Sequence, residues 1–110
     1  ATVYKGVDIN FCSPQGGNYT PGTVPIAPDW DGGKAECGGG LHFSPHPKMT
    51  REFASDATHF VACQVALVDM RAPQADDTYP HKIKARGCCG PCIEVNEDGE
   101  PIAPEEGRVT

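Results

Sequence analysis

The chain has no apolar run approaching the roughly 20 residues that span a bilayer, so nothing in the sequence reads as a membrane segment. It has no charged start followed by an apolar stretch, so no secretory signal is visible. It also lacks the basic balance of a nucleic-acid binder, since 15 acidic residues against 9 basic ones give a net charge of −6. No internal repeat or low-complexity block is present. Nucleophile elbows, phosphate loops and paired metalloprotease histidines are absent too, which removes the enzyme classes that announce themselves by motif. Hydrophobic residues, at 38%, fall below the globular average, so little material is left for a core.

What is abundant is glycine, proline and cysteine, at 13, 11 and 6 of the 110 residues. A chain of this length fits one domain, and 1–110 is read as such, with 1–9 as a first strand, 10–40 as a long loop and 97–110 as an acidic hairpin and tail. Small domains with thin cores gain stability from metals, disulfides or oligomerisation. The start at Ala1 and the missing signal set the expectation of a cytoplasmic protein. In that reducing setting clustered cysteines read first as metal-binding or redox residues.

Thr2–Ile9 has the β-branched and aromatic content of a strand. From Asn10 to Gly40 breakers dominate, with room for one short strand at Gly22–Ile26, and Trp30 is expected to pin the loop to the core. Leu41–Ser44 reads as a short strand. Lys48–Ala57 reads as the main helix, with Pro47 at its first position and Met49, Phe53 and Ala57 on one face. Thr58–Met70 is the strongest strand signal, apolar on both faces and therefore central. His81–Arg86 alternates strictly, and Lys82, Lys84 and Arg86 read as a solvent-facing cationic stripe. Cys92–Val95 is a further strand, Asn96–Gly99 a hairpin turn and Pro101–Ala103 an edge strand. The fold class expected is α+β: a largely antiparallel sheet of about five strands with one main helix and a long Gly/Pro-rich loop.

The grouping that asks for chemistry is Cys37, His42, Cys88, Cys89 and Cys92. Cys89-Gly90-Pro91-Cys92 is a C-x2-C pair in a tight turn, the way zinc knuckles present half their ligands. Cys37 and His42, with three glycines between them, supply the other half, making Cys37, His42, Cys89 and Cys92 the expected zinc ligands. Cys88 competes with Cys89, and His46, His59 and His81 are further candidates. The same C-G-P-C run is a thioredoxin redox motif, but strand and turn follow it here where that chemistry needs a helix. Reduced structural thiols and disulfides are the alternatives to zinc, and Cys12 and Cys63 are assigned to packing. Ser44 with His42, His46 and Glu52 is read as helix capping and packing rather than acid–base chemistry.

Two resemblances accompany this reading. Gly39–Ser44, the helix through Phe53-Ala54, the strand Val61–Val68 and the opening Tyr4-Lys5-Gly6 resemble the middle and first strand of ADP-ribosyltransferase-like domains. That resemblance implies an NAD-using enzyme in which Lys5 stands where the family has Arg or His, Ser44 matches a second-strand serine and Glu94 matches the catalytic glutamate. The opening strand, Tyr19 with Pro21-Gly22-Thr23, Cys37–Phe43 and Lys82–Ala85 resemble a family of small uncharacterised phage and bacterial domains, which implies no activity. The resulting expectation is a zinc-stabilised binding or accessory module of phage or bacterial type, with no catalytic residues assigned. A protein is the partner class left open, and nucleic acid and membrane are disfavoured. The alternatives are the ADP-ribosyltransferase-like enzyme and a secreted, disulfide-stapled domain.

Overall fold

The computed structural model describes residues 1–14, 16–30, 32, 39–71, 77–78 and 82–102. Two three-stranded antiparallel sheets carry the fold. One has the order β1-β3-β6, from β1 (Thr2–Val7), β3 (His59–Gln64) and β6 (Ile93–Val95). The other has the order β2-β5-β4, from β2 (Leu41–Phe43), β5 (Ile83–Ala85) and β4 (Met70–Arg71). Tyr4 and Ser44 join the two sheets by exchanging backbone hydrogen bonds of 2.8 Å each. Among the described residues no helix is long and apolar enough to cross a membrane.

The expected α+β class is overturned. In place of a main helix over Lys48–Ala57, the described residues hold only a six-residue 3-10 helix, Pro47–Glu52, and a three-residue turn at Leu67–Asp69. The buried positions of the longer one are Pro47 and Thr50, three apart, while Met49 is exposed. That is the tighter 3-10 period, not the four-residue spacing of Met49, Phe53 and Ala57. The Thr50 hydroxyl donates back to the Pro47 carbonyl at 2.6 Å. A β-branched residue bonded to its preceding turn supports one short tight coil and little more.

The strand alternation was legible. On the first sheet Val3, Val7, Val61 and Cys63 join one core, with Tyr19, Phe43, Ile83, Ala85, Cys88 and Cys92. Phe60, Ala62 and Val95 form a second core with Ala54 and Ala57, against which Tyr4 packs. Period-two alternation on a strand covered on both faces produces these two cores. β3 is the central strand, as expected, but it stops at Gln64. Leu67 and Val68 beyond it are 72% and 90% exposed.

β5 departs from expectation in another way. Lys82 and Lys84, read as solvent-facing, are buried, at 8% and 1% exposure. Their ammonium groups sit 5.1 Å from the Phe53 ring centre and 5.7 Å from that of Trp30. The long stems cover apolar surface and the charges rest on aromatic faces.

Gly6 is where β1 meets the 3-10 helix. A Cβ there would lie 2.7 Å from Thr50 Oγ1 and 3.0 Å from Ala57 Cβ. Gly6→Ala is therefore expected to cost about 1–3 kcal/mol, the usual penalty of overpacking, read as a lower urea midpoint. An unchanged midpoint would mean that the contact between strand and helix is loose.

Candidate metal centre

The register of β3 and β6 builds the site. Ala62 faces Ile93 across that ladder, so the next residues outward, Cys63 and Cys92, stand opposite one another on the same face. Their sulfurs are 3.2 Å apart. Backbone bonds hold the segment after β5 in place: Cys88 N–H donates to Pro25 O at 2.8 Å and Cys89 N–H to Gln64 O at 2.8 Å. This brings Cys88 to the pair, and the sulfurs of Cys63, Cys88 and Cys92 all lie within 4.8 Å of one another. The loop before Ala27 closes over them, with Cys92 N–H bonded to Thr23 O and Gly22 N–H to Cys92 O, both at 2.9 Å.

Three buried sulfurs at this spacing suit a tetrahedral metal. Zn–S bonds of about 2.3 Å put the sulfurs of one ion roughly 3.8 Å apart. Exposures of 0%, 9% and 1% for Cys63, Cys88 and Cys92 close the trio to water. The electrostatics favour a cation in its midst. Hydrogen bonds accepted from Cys63 and from Cys88 hold Cys92 down at about 4. Donating to Cys88 and Cys92, together with burial, raises Cys63 far above the usual thiol range. Cys88 is eased downward by Cys63, but donation to Cys92, burial and the thiolate charge push it up to about 12. The trio thus titrates as one unit that holds a single thiolate at neutral pH. Burial first, and then the negative charge of the cysteine cluster, raise the Tyr19 hydroxyl and keep it neutral beside them.

A divalent ion bound by all three thiolates must then displace the two remaining protons. Titration calorimetry of the reduced protein with zinc near pH 7, in buffers of different ionisation enthalpy, is expected to show about two protons released per ion by this trio. Release near zero would mean that the trio does not take the metal.

Of the four ligands expected from sequence, the three that are described do not come together. Cys92 is in the cluster. Cys89 is exposed and outside it, while its neighbour Cys88 is inside. His42 lies on β2, where it faces Lys84 and lines a separate cavity. Cys37 and His81 lie outside the described residues. His46 Nδ1 accepts from Lys48 N–H at 3.2 Å, and His59 pairs with Glu94 at 3.9 Å. Cys12 is bonded locally to Asn10 and Asn18, and the five described cysteines are free. Cys63, assigned to packing from its place on a core strand face, is the cluster member the sequence reading missed. The alternation did place it on the same face as Val61, but only the β3–β6 register sets it opposite Cys92.

Lys5 and Ser44 meet in the cavity beside His42, as an ADP-ribosyltransferase-like cleft would require. Glu94 does not line that cavity and sits two strands from Lys5, with Val61 between them. Comparison with protein-family models, curated proteins and solved structures gives no match to this chain.

Proposed function

We propose that the chain is a small binding or accessory module whose fold is tied together by a zinc ion on Cys63, Cys88 and Cys92. The observation that carries this reading is the convergence of three buried sulfurs from separate segments, two of them 3.2 Å apart. The burial of the trio supports a structural role over a catalytic one, since catalytic zinc keeps a position open to water and substrate. A tetrahedral ion needs one more ligand, and Cys37 and His81 are the sequence candidates of suitable chemical type outside the described residues. A reducing, cytoplasmic setting suits such a centre. The resemblance of the opening strand and of the Cys37–Phe43 segment to small phage and bacterial domains suits an accessory role.

The test is elemental analysis of protein purified with reductant and without added metal or chelator. About one zinc per chain is expected, lost in Cys92→Ser and retained in Cys89→Ser. Metal-free wild type, or zinc lost from Cys89→Ser and kept in Cys92→Ser, would overturn the reading.

A further inference from the structure

Cys63 and Cys92 stand in a particular relation on their sheet. Cys92 turns its backbone away from β3: its N–H donates to Thr23 O and its carbonyl accepts from Gly22 N–H, both at 2.9 Å. Cys63 is registered on Val3 of β1, on the other side of its strand. The two cysteines thus oppose each other as a non-hydrogen-bonded pair at the end of the β3–β6 ladder. Antiparallel pairs of that kind bring their side chains closest, with Cα atoms about 4.5 Å apart. A disulfide spans about 4.4–6.8 Å between Cα atoms, so such a pair accepts one without movement of either strand. The sulfurs, 3.2 Å apart, are already nearer than the roughly 3.8 Å that two thiolates of one zinc ion keep.

We infer that Cys63 and Cys92 form a reversible disulfide when a hydroperoxide oxidises them, and that this bridge releases the zinc and makes the centre a redox switch. The inference rests on the metal reading above, because it concerns what ends metal binding there. Zinc has no redox chemistry of its own and binds thiolates, so oxidation falls on sulfur and the joined sulfurs cease to be ligands. The step balances. One cysteine sulfur attacks a peroxide oxygen and breaks the O–O bond, leaving a sulfenic acid and, from hydrogen peroxide, water. The second sulfur attacks the sulfenic sulfur, the S–S bond forms, and the hydroxyl leaves with a proton as water. Two electrons pass from the two sulfurs to the peroxide, and the zinc ion leaves for solvent. Burial of the pair, at 0% and 1% exposure, disfavours a bulky disulfide as the oxidant, since exchange needs access to the sulfur. Cys88 joins the trio from the segment that Pro25 O holds, and it offers a single sulfur once the other two are joined. Oxidation thereby keeps β3 tied to the residue before β6 and releases the segment after β5 from that tie.

The experiment uses the full chain purified with reductant, its zinc content measured before treatment. Hydrogen peroxide is added in the presence of a weak colorimetric zinc indicator, and bridges are mapped by mass spectrometry of non-reduced digests. Dithiothreitol follows, and wild type, Cys88→Ser and Cys89→Ser are compared. Expected in the wild type are a Cys63–Cys92 bridge, one zinc released for each bridge formed, and recovery of zinc binding on reduction. The oxidised protein is expected to bind zinc at least roughly a hundredfold more weakly, since two thiolates are gone. Cys89→Ser is expected to behave as wild type, and Cys88→Ser to lack the metal yet still form the bridge. A zinc-loaded wild type that forms no bridge, joins other cysteines, or keeps its zinc once bridged would overturn the switch and leave the metal reading standing. Wild type that holds no zinc before oxidation would overturn the metal reading and the switch together.

Discussion

Chelating the proposed zinc from the reduced protein is expected to lower its melting temperature by more than about 15 °C, and Cys92→Ser to reproduce the loss without chelator. The size follows from the architecture. β3 and β6 share only the pairs Phe60–Val95, Val61–Glu94 and Ala62–Ile93. The second sheet has strands of three residues or fewer. Such ladders have little stability of their own. The proposed ion on Cys63, Cys88 and Cys92 would tie β3, the segment after β5 and the residue before β6 to one point. Structural zinc contributes about 10–16 kcal/mol in zinc-finger peptides, more than the whole stability of many small domains. Even a loss of 3 kcal/mol shifts the melting temperature of a domain this size by about 12–24 °C, at roughly 4–8 °C per kcal/mol. Cys89→Ser, at an exposed position outside the cluster, is expected to stay within about 0.5 kcal/mol of wild type. Thermal melts with and without chelator make the comparison. A midpoint indifferent both to chelator and to Cys92→Ser would leave the trio as ordinary packed thiols.

Lys5→Met is expected to stabilise the protein at pH 7 by about 1–2 kcal/mol, an unusual outcome for removing a buried hydrogen-bonding group. Burial and the Lys82 charge lower the Lys5 ammonium from 10.5 to about 8, while the Cys63 thiol raises it in part. A lowered folded-state value means that the folded chain holds this proton less tightly than the unfolded chain. Below pH 8 both states are protonated and the full cost of the buried charge is present, about 3 kcal/mol at 1.36 kcal/mol per unit. Between pH 8 and 10.5 the folded state sheds its proton first, so the contribution of Lys5 to stability improves as pH rises. Methionine fills the same space without the charge. It forfeits the hydrogen bond to the His42 carbonyl, worth about 1 kcal/mol. The advantage of the variant should therefore shrink as pH rises through 8 and vanish near 10. Urea melts of both proteins across that range, read as a difference so that titration of the thiols cancels, provide the check. A destabilised Lys5→Met at pH 7 would mean that the contacts of Lys5 with Tyr19 and the cysteine side outweigh its burial.

Most strands could be placed from local pattern because alternation is a property of neighbouring residues. Thr2–Val7, Leu41–Phe43, Ile83–Ala85 and Ile93–Val95 each fall within a segment read as a strand, and His59–Gln64 occupies the first half of another. The helix failed for a local reason as well. Lys48–Ala57 carries an apolar spacing of four, but a β-branched Thr50 bonded to its own turn and the close approach of Gly6 favour one 3-10 coil. Lys82 and Lys84 were misread because alternation says which residues share a face, and not what covers that face.

By itself the sequence determined the extended segments, the two-sided burial of the central strand, the Asn96–Gly99 turn and the presence of clustered thiols near positions 88–92. The turn is a closed loop in the structure, with Gly99 at φ 85° and its N–H bonded to Asn96 O at 3.0 Å. Tertiary structure decided which thiols meet. Cys88 joins and Cys89 does not, because adjacent residues project differently and the segment is anchored through Pro25 and Gln64. Cys63 joins because a register set across some thirty residues of chain places it opposite Cys92. Spacing along the chain measures only local reach, whereas a ligand set closed across a sheet depends on strand pairing, which the whole core selects.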